Sequence, residues 1–478
     1  MPDILQLGQT GLMASKKGLH TTGHNIANAN TEGFSRQRID QRTNAPVIKG
    51  GLILGTGTHI KNINRVHDPF LEQRINGIQS DHEYFDHLHY QLSQVESIFN
   101  DSDGNGLNLI LGKFFNSFRE LATRPENESL RYIVRDTANN LAKDIRRIEG
   151  QLQSIHESVN DQMSSNVEKI NEHLDFIADL NKKIVDIEAS GETSGDLRDL
   201  RDKHISDLSE YFALKTYSDT KGNLVVSGEG IGTLVVGGVS QKLAAGNVLV
   251  NPEDIFSGKK TVVFYQSAVS EKREISSKFR QGKMASLVEV RDQVVSSLRN
   301  KIDGIAYALT QSVNSLHKRG VPNKQIGEEE EITRTGFFKE LETLQGAASQ
   351  IDLSELVKED VNFISTALEP NAAGDNRIAL AISKLQHEKF LAENTTSLEE
   401  VYLKAVGSIG VAANKALSQK LHSEGILAQT KNIKERISGV SIDEETANMV
   451  RYQHAYEASA KVMQTANTLF DVVLGIKR

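Results

Sequence analysis

Apolar residues recur every seven positions at both ends of the chain. Leu5, Leu12, Leu19 and Ile26 form one row in a stretch from Asp3 to about Asn28, the spacing of a helix that lays a narrow seam against a partner. At the other end Ile442, Met449, Tyr456, Met463 and Phe470 form a row, with Tyr452, Ser459, Ala466 and Val473 in the companion position. Ser441 and Glu444 are spaced as a capping box that starts this last helix, with Asp443 and Glu445 in its positive first turn. The first helix carries or borders Gly8, Gly11, Gly18 and Gly23. Each interior glycine costs about 1 kcal/mol against alanine, but small residues also let another helix approach closely. Such a helix is weak alone and ordered when packed.

Between the ends the pattern changes several times. Residues 34–66 read as extended, punctuated by Pro46, Gly50-Gly51, Gly55 and Gly57, with a short β-type run at Leu52-Ile53-Leu54. Asp68-Pro69 opens a helix, followed by Leu71, Ile75, Ile78, Phe85, Leu88, Leu92, Val95 and Phe99 at 3/4 spacing. After a loop at 101–106 comes a helix with Phe114, Phe115 and Phe118. Two apolar rows, Val134-Leu141-Ile148-Ile155 and Ala138-Ile145-Leu152-Val159, then start a very long helix over about Leu130 to Ala189. A stutter near Met163 precedes Val167, Ile170, Leu174, Ile177 and Ile184. At 1.5 Å per residue this is a rod on the order of 85 Å. A shorter helix reaches about Phe212. From about Ala213 to Ser277 Val, Thr, Tyr and Gly dominate, and Leu224–Val226, Leu234–Val236 and Val262–Phe264 read as strands. Helical spacing returns at Leu287, and after a loop-rich stretch it resumes over Asn376 to Ile437.

The expected fold class is mainly α with a β insertion: paired terminal heptad helices, a long-helix rod domain and a central β domain. The expected division is 1–64 with 440–478 as a terminal coiled-coil domain, 65–212 with 285–318 and 376–439 as the rod, 213–284 as the β domain, and 319–375 as a loop-rich extension. Seams reserved for both termini need partners, which are each other, neighbouring subunits, or both.

Composition narrows the function class. The 478 residues suffice for roughly three domains. A net charge of -8 with no Lys/Arg run argues against a nucleic-acid partner. No apolar run of about 18 residues is present, so no membrane span is expected, and no cleavable secretory signal is expected at the N-terminus. Cysteine is absent, which excludes disulfides, Cys-based zinc sites and thiol nucleophiles. The 7 prolines suit long helices, since each interior Pro costs about 3 kcal/mol.

Candidate chemistry is sparse. Asp101-x-Asp103-x-Asn105-Gly106 opens like a calcium loop, but the twelfth position, which needs a bidentate acid, is Gly112. His82, Asp86 and His89 could share a helix face and hold a metal, or serve as interface histidines; the second reading is favoured. Gly228-Glu229-Gly230-Ile231-Gly232 lacks the third glycine of a dinucleotide loop and reads as a β-turn. Glu328–Glu331 reads as a solvated loop. No catalytic, cofactor or metal residues are assigned, and no enzyme is expected. The candidate functional residues are instead an assembly interface: Leu5, Leu12, Leu19, Ile26, Ile442, Met449, Tyr452, Tyr456, Met463 and Phe470.

The run Asn25-Ile26-Ala27-Asn28-Ala29-Asn30-Thr31-Glu32-Gly33-Phe34 resembles the terminal motif of flagellar rod and hook proteins. The following Ser35-Arg36-Gln37 is similar to the hook-associated FlgK family, where rod and hook proteins more often carry lysine. Gly439 to Met449 and Tyr452 to Lys461 resemble the same family, as do Asp196-Leu197-Arg198-Asp199-Leu200-Arg201-Asp202 and the region from Phe114 to Arg131. The resemblance implies a structural subunit joining hook to filament, exported unfolded by the flagellar type III route and ordered on assembly. It implies as partners hook protein, a second hook-associated junction protein, further copies in a helical ring, and a cytoplasmic FlgN-type chaperone. It also implies a secreted, flagellar location. The alternatives are another axial protein (hook, rod or second junction protein) and, from a different class, a coiled-coil adaptor.

Overall fold

The structure is a computed structural model that describes all residues except 1, 50, 100–105, 220–222, 250–258, 267–271, 324–333, 371, 373, 390–394 and 476–478. The calcium-like run at 101–105 and the acidic run Glu328–Glu331 lie outside the described residues. The chain opens with α1 (Pro2–Ala27). A long hairpin follows, built from β1 (Gln37–Thr43) and β4 (Thr58–Arg65) and tipped by β2 (Val47–Lys49) and β3 (Leu52–Leu54). Next come α2 (Pro69–Phe99), α3 (Leu107–Leu121), α4 (Glu128–Ala189) and α5 (Gly195–Ser209). Asp68 caps α2, its carboxylate accepting from the N–H groups of Phe70 and Leu71 at 3.0 and 3.2 Å.

The 62 residues of α4 make a helix about 93 Å long. Its predicted rows are buried with one exception: Ile155 is only partly buried and His156 takes the interior position. The spacing thereby changes to Ile148, Leu152, His156, Val159, Met163, which is where the stutter lies. Phe114, Phe115 and Phe118 of α3 pack on this helix and are fully enclosed.

The β insertion forms two antiparallel sheets. One is the meander β5 (Leu214–Ser218), β6 (Leu224–Gly228), β7 (Gly232–Val236) and β8 (Val239–Ser240). The other has the order β11 (Arg273–Glu274), β10 (Lys259–Gln266), β9 (Lys242–Leu249). The glycine run at 228–232 is the β6–β7 turn. Entry and exit of the insertion lie side by side. Lys283 and Met284 donate their N–H groups to the carbonyls of Glu210 and Tyr211 at 2.9 and 3.0 Å. Gly282, at φ +72°, lets the Tyr211 backbone approach to where a Cβ would sit 2.4 Å away.

Asparagines on helices hold extended segments by one recurring device. Asn171 of α4 donates to the Leu243 carbonyl at 2.8 Å and accepts the Leu243 N–H at 2.9 Å. Asn160 does the same for the Lys259 carbonyl and the Thr261 N–H. Asn181 donates to Leu224 and Gly237. The side-chain amide thus stands in for a neighbouring strand, satisfying backbone groups that burial against a helix would orphan.

Beyond the insertion, α6 (Gly282–Glu289) passes through a π-helical turn, Val290–Val295, into α7 (Ser296–His317). The stretch expected as a loop-rich extension carries the short helices α8 (Ala347–Gln350) and α9 (Glu355–Glu359). Its described part contributes buried side chains to the main apolar core. Phe337 and Phe338 are fully buried against Phe114 and Phe118. Asn314 of α7 clamps Phe338 by the same two-bond device, at 3.0 and 2.9 Å. Arg131 of α4, also buried, donates to the carbonyls of Pro125 and Ile364. Then come α10 (Arg377–Lys384), α11 (Leu398–Ser438), which lies along α2, and α12 (Ile442–Gly475), which lies along α1. The architecture is the expected one: mainly helical, with long terminal helices and a central β region.

Candidate functional site at the terminal joint

The terminal helices run antiparallel, with Gly8 beside Met463, Gly11 beside Ser459, and Gly18 beside Tyr452. The buried line of α1 is Gly8, Ala14, Ser15, Gly18, Thr21, Thr22 and Asn25. A Cβ at Gly8, Gly11 or Gly18 would lie 2.7 Å from its partner's side chain, so the small residues set how closely the helices approach. The leucine row flanks this seam. Leu12, Leu19 and Ile26 are half-buried and Leu5 is 39% exposed. On α12 most of the companion row faces α1, with Ala466 buried and Tyr452 and Ser459 half-buried, joined by buried Glu445 and by half-buried Met463 of the first row, while Val473 is exposed. Met449 is half-buried at the edge. Ile442, Tyr456 and Phe470 are exposed at 53, 36 and 52%. The structure therefore brings together Tyr452, Met463 and the glycines, and leaves Leu5, Ile442, Tyr456 and Phe470 facing outward.

The motif after α1 is a joint between the terminal pair and the rod. Asn25 uses the strand-mimicking device on Gln37, donating to its carbonyl and accepting its N–H, both at 2.9 Å. Its amide also donates to buried Glu445 at 3.1 Å. Asn28 caps the end of α1 by donating to the His24 carbonyl and accepts from Thr31 at 3.2 Å. Gly33 adopts φ +83°, which turns the chain so that Phe34 packs edge-on against His24. Ala27 and Asn30 are exposed. Buried Ser35 donates its N–H to Asp199 of α5 at 2.9 Å. Arg36 donates its N–H to the Ser438 carbonyl, and its guanidinium meets Glu444 at 2.6 Å. Ser441 accepts the Glu444 N–H at 3.4 Å, but the Glu444 carboxylate goes to Arg36, leaving half of the predicted capping box.

The acidic run of α5 closes the joint. Asp199 accepts from Arg65 at the base of the hairpin at 2.8 Å, and Arg65 also meets Asp202 at 2.6 Å. Asp196 accepts from Gln37 at 2.6 Å and lies 3.2 Å from His24. Burial, and after it the nearby Arg65 guanidinium, lowers the His67 pKa from its ordinary value and so favours the neutral ring. One helix thus anchors the motif, the hairpin and the terminal pair. Sequence reasoning noticed Asp196, Asp199 and Asp202 only as part of a resemblance. The signal for their role is their 3-residue spacing, which puts all three on one helix face.

His82, Asp86 and His89 do not converge on a common point. His82 contacts Ser423 and His89 the Ala413 carbonyl, while Asp86 pairs with Lys420. All three hold α2 against α11. No helix among the described residues is long and apolar enough to cross a membrane.

Comparison with known proteins matches both ends first. Residues 5–34 match the family described as flagella basal body rod protein, and residues 436–476 the family described as flagellar basal body rod FlgEFG protein C-terminal. These two matches mark the chain as a structural component of the bacterial flagellum. Residues 92–329 match the flagellar hook-associated protein FlgK helical domain. Flagellar hook-associated protein 1 of Bacillus subtilis is 26% identical, covering 98% of this chain and 97% of its own. The protein of the same name from Salmonella typhimurium is 24% identical over the full length of both. The structure of the flagellar hook junction protein FlgK from Burkholderia pseudomallei shares the fold, with a TM-score of 0.65 and 15% identity over 77% of this chain and all of that one. The chain belongs to the FlgK family of flagellar hook-associated proteins.

Proposed function

We propose that this chain is the subunit that joins hook to filament, and that it acts by contact between copies and with its axial neighbours, not by chemistry. The observation that carries the reading is the division of labour at the termini. The glycine seam satisfies the α1–α12 pair with small residues and leaves large apolar ones unpartnered: Ile4, Leu5, Leu7 and Met13 on α1, and Ile442, Leu469, Phe470, Val472 and Leu474 on α12. Covering them at roughly 25 cal/mol per Å² of apolar surface stabilises an assembly and does nothing for the monomer. Residues 1–64 with 440–478 form the assembly unit in this reading, and the rod and β region stand outside it. The subunit leaves the cytoplasm unfolded by the flagellar export route, with a FlgN-type chaperone holding its C-terminal segment. Hook protein lies below it and the second junction protein above, with further copies beside it in a helical ring. A rod or hook role rests on the terminal matches alone, whereas the helical-domain match favours the junction subunit.

The test is a strain lacking the gene, which should keep hooks and shed filament protein into the medium. Filaments on its hooks would overturn the reading. Complementation with Leu5→Asp/Phe470→Asp should yield a folded, exported chain that is absent from purified hooks. Normal incorporation would sink the assigned interface.

A further inference from the structure

Beyond this assembly role, α4 and α5 bring together three side chains that no structural role above uses. His173 projects from α4, and His204 and Asp207 project from α5. Their ligand-type atoms all lie within 4.8 Å of one another, and each residue is half-buried. The Nδ1 atoms of the two histidines are 3.2 Å apart. Two nitrogens bound to one tetrahedral ion at 2.0–2.1 Å are separated by about 3.3 Å, so the pair already stands at the separation an ion requires. His204 and Asp207 are three apart on one helix and share a face. The ring of His204 is held in place by stacking on Phe176, at 4.9 Å between centroids and 7° between planes. The His173 ring is tilted against both His204 and Tyr211. Ring orientation is thus fixed by packing, which is what a preorganised ligand set needs.

We infer that His173, His204 and Asp207 form a binding site for a divalent transition-metal ion of the zinc class, with a fourth position open to water. Two imidazoles and a carboxylate suit Zn²⁺, Co²⁺ or Ni²⁺, and not Mg²⁺ or Ca²⁺, which take oxygen ligands. Without an ion, one ring donates its Nδ1 proton to the other. On binding, that ring carries its proton on Nε2 instead, so both Nδ1 lone pairs reach the ion and no proton is released. The ion cross-links α4 to α5, the helix whose Asp196, Asp199 and Asp202 hold the terminal joint. Asp207 itself lines the cleft that also contains Ser35 and Asp199. Metal binding therefore stiffens the anchor from which the assembly unit projects.

The test uses the full-length monomer stripped with a chelator. Titration with CoCl₂ should give one equivalent with the visible d–d bands of a four-coordinate site. ZnCl₂ should raise the melting temperature by a few degrees, roughly 2–4 °C, where MgCl₂ does not. His204→Asn and Asp207→Asn should each weaken Zn²⁺ binding by roughly tenfold or more, and His82→Asn should leave it unchanged. Absence of the Co²⁺ spectrum in the wild-type chain overturns the proposal, whatever the variants do. So does a Zn²⁺-induced shift that survives in both His204→Asn and Asp207→Asn, which would place the ion elsewhere among the 14 histidines.

Discussion

Placing leucine at Gly18 separates the two roles a small residue can play in α1. Intrinsic helix propensity predicts a gain, because leucine is better than glycine in a helix interior by about 0.8 kcal/mol. The structure predicts a loss. The first carbon of any side chain at Gly18 would stand 2.7 Å from Cδ1 and Cε1 and 2.8 Å from Cγ of Tyr452, inside van der Waals contact. Tyr452 cannot turn away without giving up its own burial, so the helices must part along the seam. Overpacking typically costs 1–3 kcal/mol, and separation also weakens the contacts at Gly8 and Gly11. A net loss of about 2 kcal/mol in the pairing is expected. Gly23 supplies the control, since a Cβ there meets nothing within 4 Å; Gly23→Ala should gain about 1 kcal/mol. Amide hydrogen exchange over residues 5–27 of the monomer reads both. Gly18→Leu should speed exchange roughly 30-fold, and Gly23→Ala should slow it about fivefold, at tenfold per 1.4 kcal/mol. If Gly18→Leu protects α1 as well as Gly23→Ala does, the glycines are not there for close approach and the seam is misassigned.

Asp199→Ala removes one of the two carboxylates on the largely buried Arg65 and the acceptor of the buried Ser35 N–H, and should cost about 2–3 kcal/mol, measured as a lowered urea midpoint; Asp202→Ala should cost less, because Ser35 and Arg65 both keep Asp199. Asn171→Ala removes both bonds to Leu243 and should cost roughly 2 kcal/mol, with exchange faster in β9 than in α1. Acid should weaken the rod core through His317, which is fully buried, donates Nδ1–H to the Thr335 carbonyl at 2.7 Å and accepts the Ser365 N–H on Nε2 at 2.9 Å. Burial pushes its pKa down to about 4. A histidine depressed in the folded state gives its full stability above the unfolded value near 6.5, and that stability is lost as pH falls from there to about 4. The loss is roughly 3 kcal/mol across the window, and His317→Gln should flatten the pH dependence of the melting temperature there.

Much of this protein is written locally. The rows of α4, the β-branched runs of the insertion and the heptads at both ends follow from backbone geometry, since a repeat of 3.6 or 2 residues per turn is a property of the segment that carries it. The motif around Asn25 to Arg36 and the run at Gly439 to Lys461 pointed to the family for the same reason, being contiguous in sequence. The capping box of α11, Ser397 with Glu400, is equally local in the structure, with both of its bonds present.

What tertiary structure decided is which of several equivalent local options each residue takes. Leu5, Leu12 and Leu19 share their period with Gly11, Gly18 and Asn25, so periodicity cannot say which row meets the partner; the side chains of α12, more than 400 residues away, decide. Glu444 has the spacing to close a capping box, yet Arg36 draws it off. Phe337 and Phe338 sit in a stretch without regular spacing and become core by packing against Phe114 of the distant α3. His173 and His204 are separated by 31 residues and meet only because α5 folds back along α4. Local pattern sets what a segment can be, while pairing between distant segments depends on the shape and charge each finds opposite, and that exists only once the chain has folded.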